Sequence, residues 1–272
     1  MGDWTPPDKR FSELPRRLLT ALILIPVALF AVWMGSWWLA AGCAAFCSVM
    51  MLEWCRMSAT PQERLLAALA ALFGLSLALN RDAVSWALLA AALVLAVAAS
   101  QRKLQAQITG GFGVIYVFAM VFGFYTLREG PWEGRLAALY FMSFVWASDA
   151  AAYFFGRMIR GPLLLPRESP NKTWSGAVSA VIACAGCGYL AAGWQDAAIL
   201  PWMVAGMLIS MTAQAGDLFE SGLKRRFRVK DSGTILPGHG GLLDRVDGLG
   251  AVSISATLTF LSVPILPRLL GL

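Results

Sequence analysis

Charged side chains are concentrated in one stretch of an otherwise apolar chain, the residues from Gln214 to Asp247. The stretch carries the only histidine, His239, with six cations and five carboxylates that leave a net charge of +1. Ionisable groups are costly in apolar surroundings unless they serve a site. Because a purely anion-binding patch would not carry five acids, the pattern indicates divalent cations between the acids and a polyphosphate. The charged residues are Lys224, Arg225, Arg226, Arg228, Lys230, Arg245, Asp217, Glu220, Asp231, Asp244 and Asp247.

Four polar residues at the start of this stretch have the spacing of one helix face and would extend the apolar segment before them. They are Asp217, Ser221, Lys224 and Arg228. Glu220 and Lys224 form an i, i+4 pair on the same helix. A solvated helix with surface ion pairs, each worth about 0.3–0.5 kcal/mol, is the alternative interpretation. Asp217 argues against it, because it follows a largely apolar run and so lies near the membrane boundary.

Glycines recur in the two segments 230–233 (Lys-Asp-Ser-Gly) and 237–241 (Pro-Gly-His-Gly-Gly). At this density they let backbone N–H groups approach a ligand closely, as in phosphate-binding loops. A tight loop that returns the chain to the membrane explains the glycines equally well. The spacing is not that of a Walker loop, and His239 has no second histidine with which to bind a metal.

Asp244 and Asp247 follow at i, i+3, at the start of the last apolar segment, and can face the same way. Helix capping by Asp247, with Asp244 favourable near the positive helix end, is one interpretation. It accounts for one aspartate better than for two. Mg²⁺ binds through one or two carboxylates together with substrate phosphates, so the pair also fits a magnesium site.

Three polar features lie upstream of this stretch. Asp149 is inside a predicted membrane segment, where an acid is a functional candidate by default. Glu53, near the end of the second segment, is a weaker case because its side chain can snorkel to the surface. Lys172 is expected near the lipid headgroups, and Thr173 is expected to cap the helix that follows.

The composition indicates a multi-pass membrane protein rather than a soluble or nucleic-acid-binding one. Of 272 residues, 58% are hydrophobic and only 14% are charged, against about a quarter in soluble domains. The five cysteines sit in or beside apolar runs and are interpreted as buried small residues. The predicted fold class is all-α, a polytopic integral membrane helical bundle with about nine transmembrane helices. The segments are 17–35, 36–54, 64–80, 82–100, 111–127, 135–155, 174–194, 197–215 and 248–270.

The distribution of Lys and Arg predicts the orientation in the membrane. With the N-terminus inside, 18 of the 22 Lys and Arg residues fall in cytoplasmic segments, and the C-terminus lies outside. The two longest polar loops, 156–173 and 216–247, then share the cytoplasmic side. We expect a single membrane domain, 1–272, with N-terminal helices in 1–130 and the catalytic part in 131–272. The first span is expected to remain uncleaved.

The motif from Ser221 to Asp247 resembles that of the phosphatidate cytidylyltransferases, or CDP-diacylglycerol synthases. It reads Ser-x-Leu-Lys-Arg, then Lys-Asp-x-Gly, then Leu-Pro-x-His-Gly-Gly-Leu-x-Asp-Arg-Val-Asp. The segment from Asp149 to Arg157 (Asp-x-x-x-Tyr-x-x-Gly-Arg) is also similar to that family. In the segment 169–176, Asn171 and Ser175 depart from the family pattern Ser-Pro-Lys-Lys-Thr-x-Glu-Gly.

The resemblance implies an inner-membrane enzyme, with its active site facing the cytoplasm, that makes CDP-diacylglycerol and pyrophosphate from CTP and phosphatidate. It implies Mg²⁺ as the cofactor and leaves a second metal ion open. The implied partners are membrane lipids and a second copy of the chain, and no nucleic acid is expected. Asp217 and Asp244 would bind metal. The catalytic group would comprise Ser221, Lys224, Arg225, Lys230, Asp231, His239, Arg245 and Asp247. Substrate would be bound by Asp149, Lys172, Gly240 and Gly241.

Two other functions remain open from the residues. A different CTP-dependent lipid enzyme, such as a polyprenol kinase, needs the same metal and phosphate chemistry but transfers the γ-phosphate. A transporter would use Asp149 as an ion-coupling residue, although it leaves the Lys, Asp and His-Gly-Gly motif unexplained.

Overall fold

The structure is a computed structural model that describes residues 22–79, 82–100, 103–235 and 240–272. Within these residues the chain forms ten α-helices, one short 3-10 helix (Leu77–Leu79) and one β-hairpin. The helices are α1 Leu22–Met34, α2 Ser36–Ser58, α3 Glu63–Ser76, α4 Asp82–Ala99, α5 Leu104–Glu129, α6 Gly134–Ile159, α7 Trp174–Trp194, α8 Ile199–Arg226, α9 Leu243–Ser262 and α10 Ile265–Leu269. The strands are β1 Leu163–Leu165 and β2 Ser169–Thr173.

Each of the nine predicted apolar segments overlaps one of the helices α1 to α9, and the ninth also covers α10, which confirms an all-α membrane helical bundle. Five helices, α2, α4, α5, α7 and α8, are long and apolar enough to cross a membrane. Helix α3 has only 14 residues, and α9 carries three charged residues in its first two turns. The number of nine spans therefore stays a prediction.

Large apolar side chains cover the outside of the bundle. On α7, for example, Ile182 is 66% and Leu190 is 71% exposed. Soluble proteins rarely expose extended apolar surfaces, whereas a membrane helix presents such side chains to the hydrocarbon. The inside is equally apolar, and its cysteines conform to the prediction, because all five thiols are free and only Cys187 is not fully buried.

Two apolar clusters hold the helices together. The first joins α2 to α5 around Trp54 and Phe118, and the second joins α6 to α9 around Phe144 and Trp202. Leu242 and Leu243, at the start of α9, belong to the first cluster rather than the second. The beginning of α9 is thus embedded among helices from the first half of the chain, and this placement shapes the candidate site.

The β-hairpin between α6 and α7 was not predicted from the sequence. Strand β1 pairs antiparallel with β2, with Leu163 opposite Thr173. The predicted cap is confirmed, because Thr173 Oγ1 accepts a hydrogen bond from the Gly176 N–H at 3.2 Å. Strand β2 runs directly into α7, so the hairpin holds Lys172 just before the first turn of that helix.

Candidate active site

A cavity of about 730 Å³ opens between α1, α6, the hairpin, α8 and the start of α9. One part of its wall is apolar, and the other part carries carboxylates, cations and amides. The apolar part includes Leu24, Ile25, Ala28, Phe46, Met142 and Trp146. The polar part includes Asp149, Asn171, Lys172, Gln214, Asp217, Asp244, Arg245 and Asp247. The described residues therefore place six of the residues predicted for the site around one space.

The predicted extension of the eighth segment is confirmed as far as Arg226, where α8 ends. Asp217 and Ser221 share a helix face, and the Ser221 hydroxyl lies 3.5 Å from Asp217 Oδ1. Lys172 of the hairpin forms an ion pair with Asp217 Oδ2. The predicted inclusion of Arg228 is wrong, because it lies beyond the helix end with a φ of 60°.

The alternative interpretation of this helix, a solvated surface with weak ion pairs, is also wrong. Glu220 has no exposed surface and Lys224 is only 8% exposed. The Lys224 ammonium lies 3.3 Å from Glu220 Oε1 and 2.7 Å from Asp244 Oδ1. The predicted i, i+4 pair exists, but it is buried and is shared with a carboxylate of α9.

Asp244 accepts hydrogen bonds from three different residues of the site. Besides Lys224, it accepts hydrogen bonds from the backbone N–H groups of Ser232 and Gly241, each at 2.9 Å to Oδ2. Burial alone would raise the pKa of Asp244, but these donors outweigh it and hold the pKa below its ordinary value. Through these hydrogen bonds Asp244 connects α8, α9 and the residues before α9.

Helix α9 begins at Leu243, so Asp247 lies inside the helix and does not cap it. Its Oδ1 accepts a hydrogen bond from the Gly248 N–H at 2.7 Å. At Gly216 of α8, an added Cβ would lie 2.9 Å from the Asp247 carbonyl oxygen, so the absence of a side chain allows α8 and α9 to approach closely. Burial and the nearby charge of Asp217 raise the pKa of Asp247 to about 7.

Glu53 of α2 is the residue whose importance sequence reasoning missed. It does not snorkel to the surface as predicted, since it is 1% exposed. Its carboxylate accepts the backbone N–H groups of Leu242 and Leu243, at 2.9 and 2.8 Å, and lies 3.3 Å from the Ser232 hydroxyl. The sequence signal for its role was the presence of an acid inside an apolar segment. The role itself could not be predicted, because the partners of Glu53 are 179 to 190 residues away in the sequence.

Two of the glycines in this region make room for Glu53. At Gly233 an added Cβ would lie 2.7 Å from the Glu53 carboxylate, and at Gly241 it would lie 2.9 Å from that carboxylate and closer still to the Ser232 hydroxyl. Gly240 has a φ of 83°, which favours glycine for a different reason. Close approach to Glu53 and Ser232 thus accounts for two glycines that were also interpreted as part of a phosphate-binding loop.

Residues 15–263 of the chain match the family described as the cytidylyltransferase family. The chain belongs to the cytidylyltransferase family. A phosphatidate cytidylyltransferase of Brucella suis biovar 1 is 38% identical over 260 residues, which cover 89% of this chain and 91% of that protein. The protein of the same name from Brucella melitensis biotype 1 has the same identity and coverage. One from Staphylococcus saprophyticus is 44% identical over 127 residues, covering 46% of this chain and 49% of that protein.

In this member of the cytidylyltransferase family, the predicted site residues divide into groups. Asp149, Lys172, Asp217, Asp244, Arg245 and Asp247 line the cavity. Three further residues contact these aspartates: Ser221 lies beside Asp217, and Lys224 and Gly241 donate hydrogen bonds to Asp244. Arg225 and Lys230 are exposed, as is Asp231, and Arg225 donates to the Val229 carbonyl oxygen. Gly240 is half-buried beside Asp244, and His239 lies outside the described residues.

Proposed function

We propose that the chain transfers the cytidylyl group of CTP to phosphatidate, forming CDP-diacylglycerol and pyrophosphate. Membership of the cytidylyltransferase family and the names of the relatives support a nucleotidyltransferase of phospholipid biosynthesis. The structural observation that carries the proposal is the single cavity with one charged and one apolar wall. A phospholipid substrate has the same division, with a phosphate at one end and acyl chains at the other.

The reaction needs little from a general base. The phosphate of phosphatidate attacks the α-phosphorus of CTP, a new P–O bond forms, and the bond to pyrophosphate breaks. A phosphomonoester has a second pKa of about 6, so it is largely ionised near neutral pH and needs no residue to deprotonate it. The obstacle is to bring two polyanions together and to stabilise the charge on the leaving group. We therefore assign His239 no role as a base.

The cations of the site differ in how directly they can contact substrate phosphates. Lys172 and Arg245 line the cavity directly. Lys224 supports Asp244 from the far side, so it acts on substrate through that carboxylate. Arg225 and Lys230 are exposed at the end of α8 and beyond it. In the proposal they contact the phosphates of CTP, which enters from the aqueous side.

The donor set of the cavity fits a magnesium ion. Mg²⁺ binds through one or two carboxylates plus substrate phosphates, and Asp217 and Asp244 line the same cavity. The described residues contain no group of three or more His, Cys, Asp or Glu side chains arranged to hold a metal by themselves. Held there by Asp217, Asp244 and substrate phosphates, Mg²⁺ would supply charge stabilisation for the leaving pyrophosphate.

The setting of the enzyme in the cell is part of the proposal. The Lys and Arg distribution favours a cytoplasmic position for the cavity's charged end, where CTP is available. The inner membrane, membrane lipids around the bundle and a homodimeric assembly are implied by the family resemblance.

A double-label assay tests the reaction. Purified protein in micelles is given phosphatidate, Mg²⁺ and CTP radiolabelled at either the α- or the γ-phosphate. We expect the α label in lipid and the γ label in pyrophosphate, and we expect ATP not to replace CTP. The γ label in lipid would identify a kinase instead. Failure to turn over CTP at all would contradict the proposed function.

A further inference from the structure

Helix α9 begins without a cap of its own. The first N–H groups of a helix have no partner within it and are usually satisfied by a nearby Ser, Thr, Asp or Asn side chain. Here the N-cap is Leu242, whose side chain cannot accept a hydrogen bond. The preceding residues, Gly240 and Gly241, offer no side chain either. Glu53 of α2 takes the place of the missing cap, because it accepts the N–H groups of Leu242 and Leu243.

Two carboxylates, Asp244 and Glu53, lie near this helix end. Each of them contacts Ser232 and also a residue directly before α9. At Ser232, Asp244 accepts the backbone N–H and Glu53 lies within hydrogen-bonding distance of the hydroxyl. Directly before α9, Asp244 accepts the Gly241 N–H while Glu53 accepts the next one, from Leu242. Two acids from different helices therefore hold Ser232 together with Gly241 and Leu242.

We propose that Glu53 is a positioning residue, which caps α9 from α2 and contacts Ser232, so that Asp244 keeps its place in the cavity wall. The two oxygens of Glu53 accept the two backbone N–H groups, and the Ser232 hydroxyl lies within hydrogen-bonding distance of one of them. The inference deepens the proposed function, because the role of Asp244 in the cavity rests on that function.

A purely structural explanation fits these features less well. A carboxylate that is 1% exposed is expensive to bury, and packing alone would be served better by an apolar side chain. Gly233 and Gly241 also leave space against Glu53 that any larger residue would fill. The free-energy cost of burying Glu53 is explained if its carboxylate determines the position of α9 and therefore of Asp244.

Glu53→Gln tests the inference, since the amide keeps the volume but presents N–H groups to one of the two backbone donors, which bind different carboxylate oxygens. We expect kcat for CTP and phosphatidate to fall about 10²-fold, as displacement of a catalytic group by about 1 Å can cause. We also expect faster hydrogen exchange of the backbone amides in 240–243 than in wild type. Glu53→Asp retains the charge on a shorter side chain, so its activity and exchange should lie between those of wild type and Glu53→Gln.

The matched control is Ser76→Ala. It removes a buried hydrogen bond of 2.8 Å between Ser76 and Ser85, in a different part of the bundle. We expect it to lower the midpoint of thermal unfolding without changing kcat or exchange at 240–243. A second site variant, Ser232→Ala, loses only the hydroxyl contact to Glu53 and should show a smaller effect than Glu53→Gln.

The outcomes separate this inference from the proposed function. The inference is overturned if both kcat and hydrogen exchange at 240–243 stay within twofold of wild type in Glu53→Gln. If Glu53→Gln cannot be purified, the same criterion is applied to Glu53→Asp and Ser232→Ala. The same holds if kcat falls only in proportion to the loss of folded protein, with exchange at 240–243 unchanged. The exchange measurement needs no substrate. A wild-type protein inactive on CTP and phosphatidate therefore contradicts only the proposed function.

Discussion

Lys224 of α8 and Asp244 of α9 form a buried ion pair, with 2.7 Å between Nζ and Oδ1 and side chains that are 10% and 7% exposed. Glu220 shares the same ammonium from one turn earlier on α8. The pair therefore joins the two helices that carry the predicted metal ligands, and its charge balance involves three side chains rather than two.

The first prediction concerns the stability of this group. Lys224→Met leaves Asp244 and Glu220 buried without their cation, and breaking a buried pair in this way costs about 3–5 kcal/mol. We expect the free energy of unfolding, measured by denaturation in mixed micelles, to fall by that amount. The control, Lys230→Met, changes an exposed lysine and should stay within about 0.5 kcal/mol of wild type. Equal stability of the two variants would contradict a structural role for the pair.

The second prediction concerns the metal site. If Asp217 and Asp244 both bind Mg²⁺, replacing either with Asn should lower kcat roughly a thousandfold or more. The double variant should be hardly worse than either single one, because the two act as a unit. Asp217→Asn is the cleaner variant, since Asp244 also holds the backbone of Ser232 and Gly241.

Glu63→Gln provides the control for these aspartate variants. Glu63 forms an exposed ion pair with Arg56 and should be replaceable with little effect on turnover. Near-normal turnover of Asp217→Asn at saturating Mg²⁺ would refute the shared metal site. Binding of Mn²⁺ to the purified protein, followed by electron paramagnetic resonance, gives a second measurement that does not depend on activity.

The sequence was informative where a signal was local. The helices, the extension of α8, the Lys224–Glu220 pair and the Thr173 cap all follow from residues within a few positions of one another. The contacts of Glu53 with the start of α9 could not be predicted in this way, because the two are distant in sequence. Similarly, the hairpin pairing was not predicted, since β1 and β2 have only three and five residues.

The third prediction concerns Lys172. This lysine lines the cavity and pairs with Asp217, so it is placed to contact a substrate phosphate. Loss of a hydrogen bond to a charged group costs about 1.5–3 kcal/mol, which corresponds to a decrease in kcat/KM of about 10- to 150-fold for Lys172→Gln. Arg167→Gln, an exposed change in the same hairpin, should leave kcat/KM unchanged. Equal values for the two variants would remove Lys172 from the site.

The fourth prediction concerns orientation. With the N-terminus inside, an impermeant thiol reagent added from the periplasmic side should label Glu133→Cys but not Arg167→Cys. Both positions are exposed, and the native cysteines are buried or half-buried, so background labelling should be low. Ser232, in contrast, is 5% exposed and would resist labelling from either side. The reverse pattern, with only the Arg167→Cys protein labelled, would overturn the orientation.

The cap that α2 provides for α9 also affects how the protein is made. Glu53 and Leu242 are 189 residues apart, so the ribosome completes α2 long before the donors for Glu53 exist. Contacts between such distant residues form late in folding. Until α9 enters the bundle, Glu53 is an acid in an apolar helix without its backbone partners, which penalises its burial. A nascent chain that stops short of α9 therefore lacks both Asp244 and Asp247 in the cavity wall and the backbone donors for Glu53, and both arrive with α9.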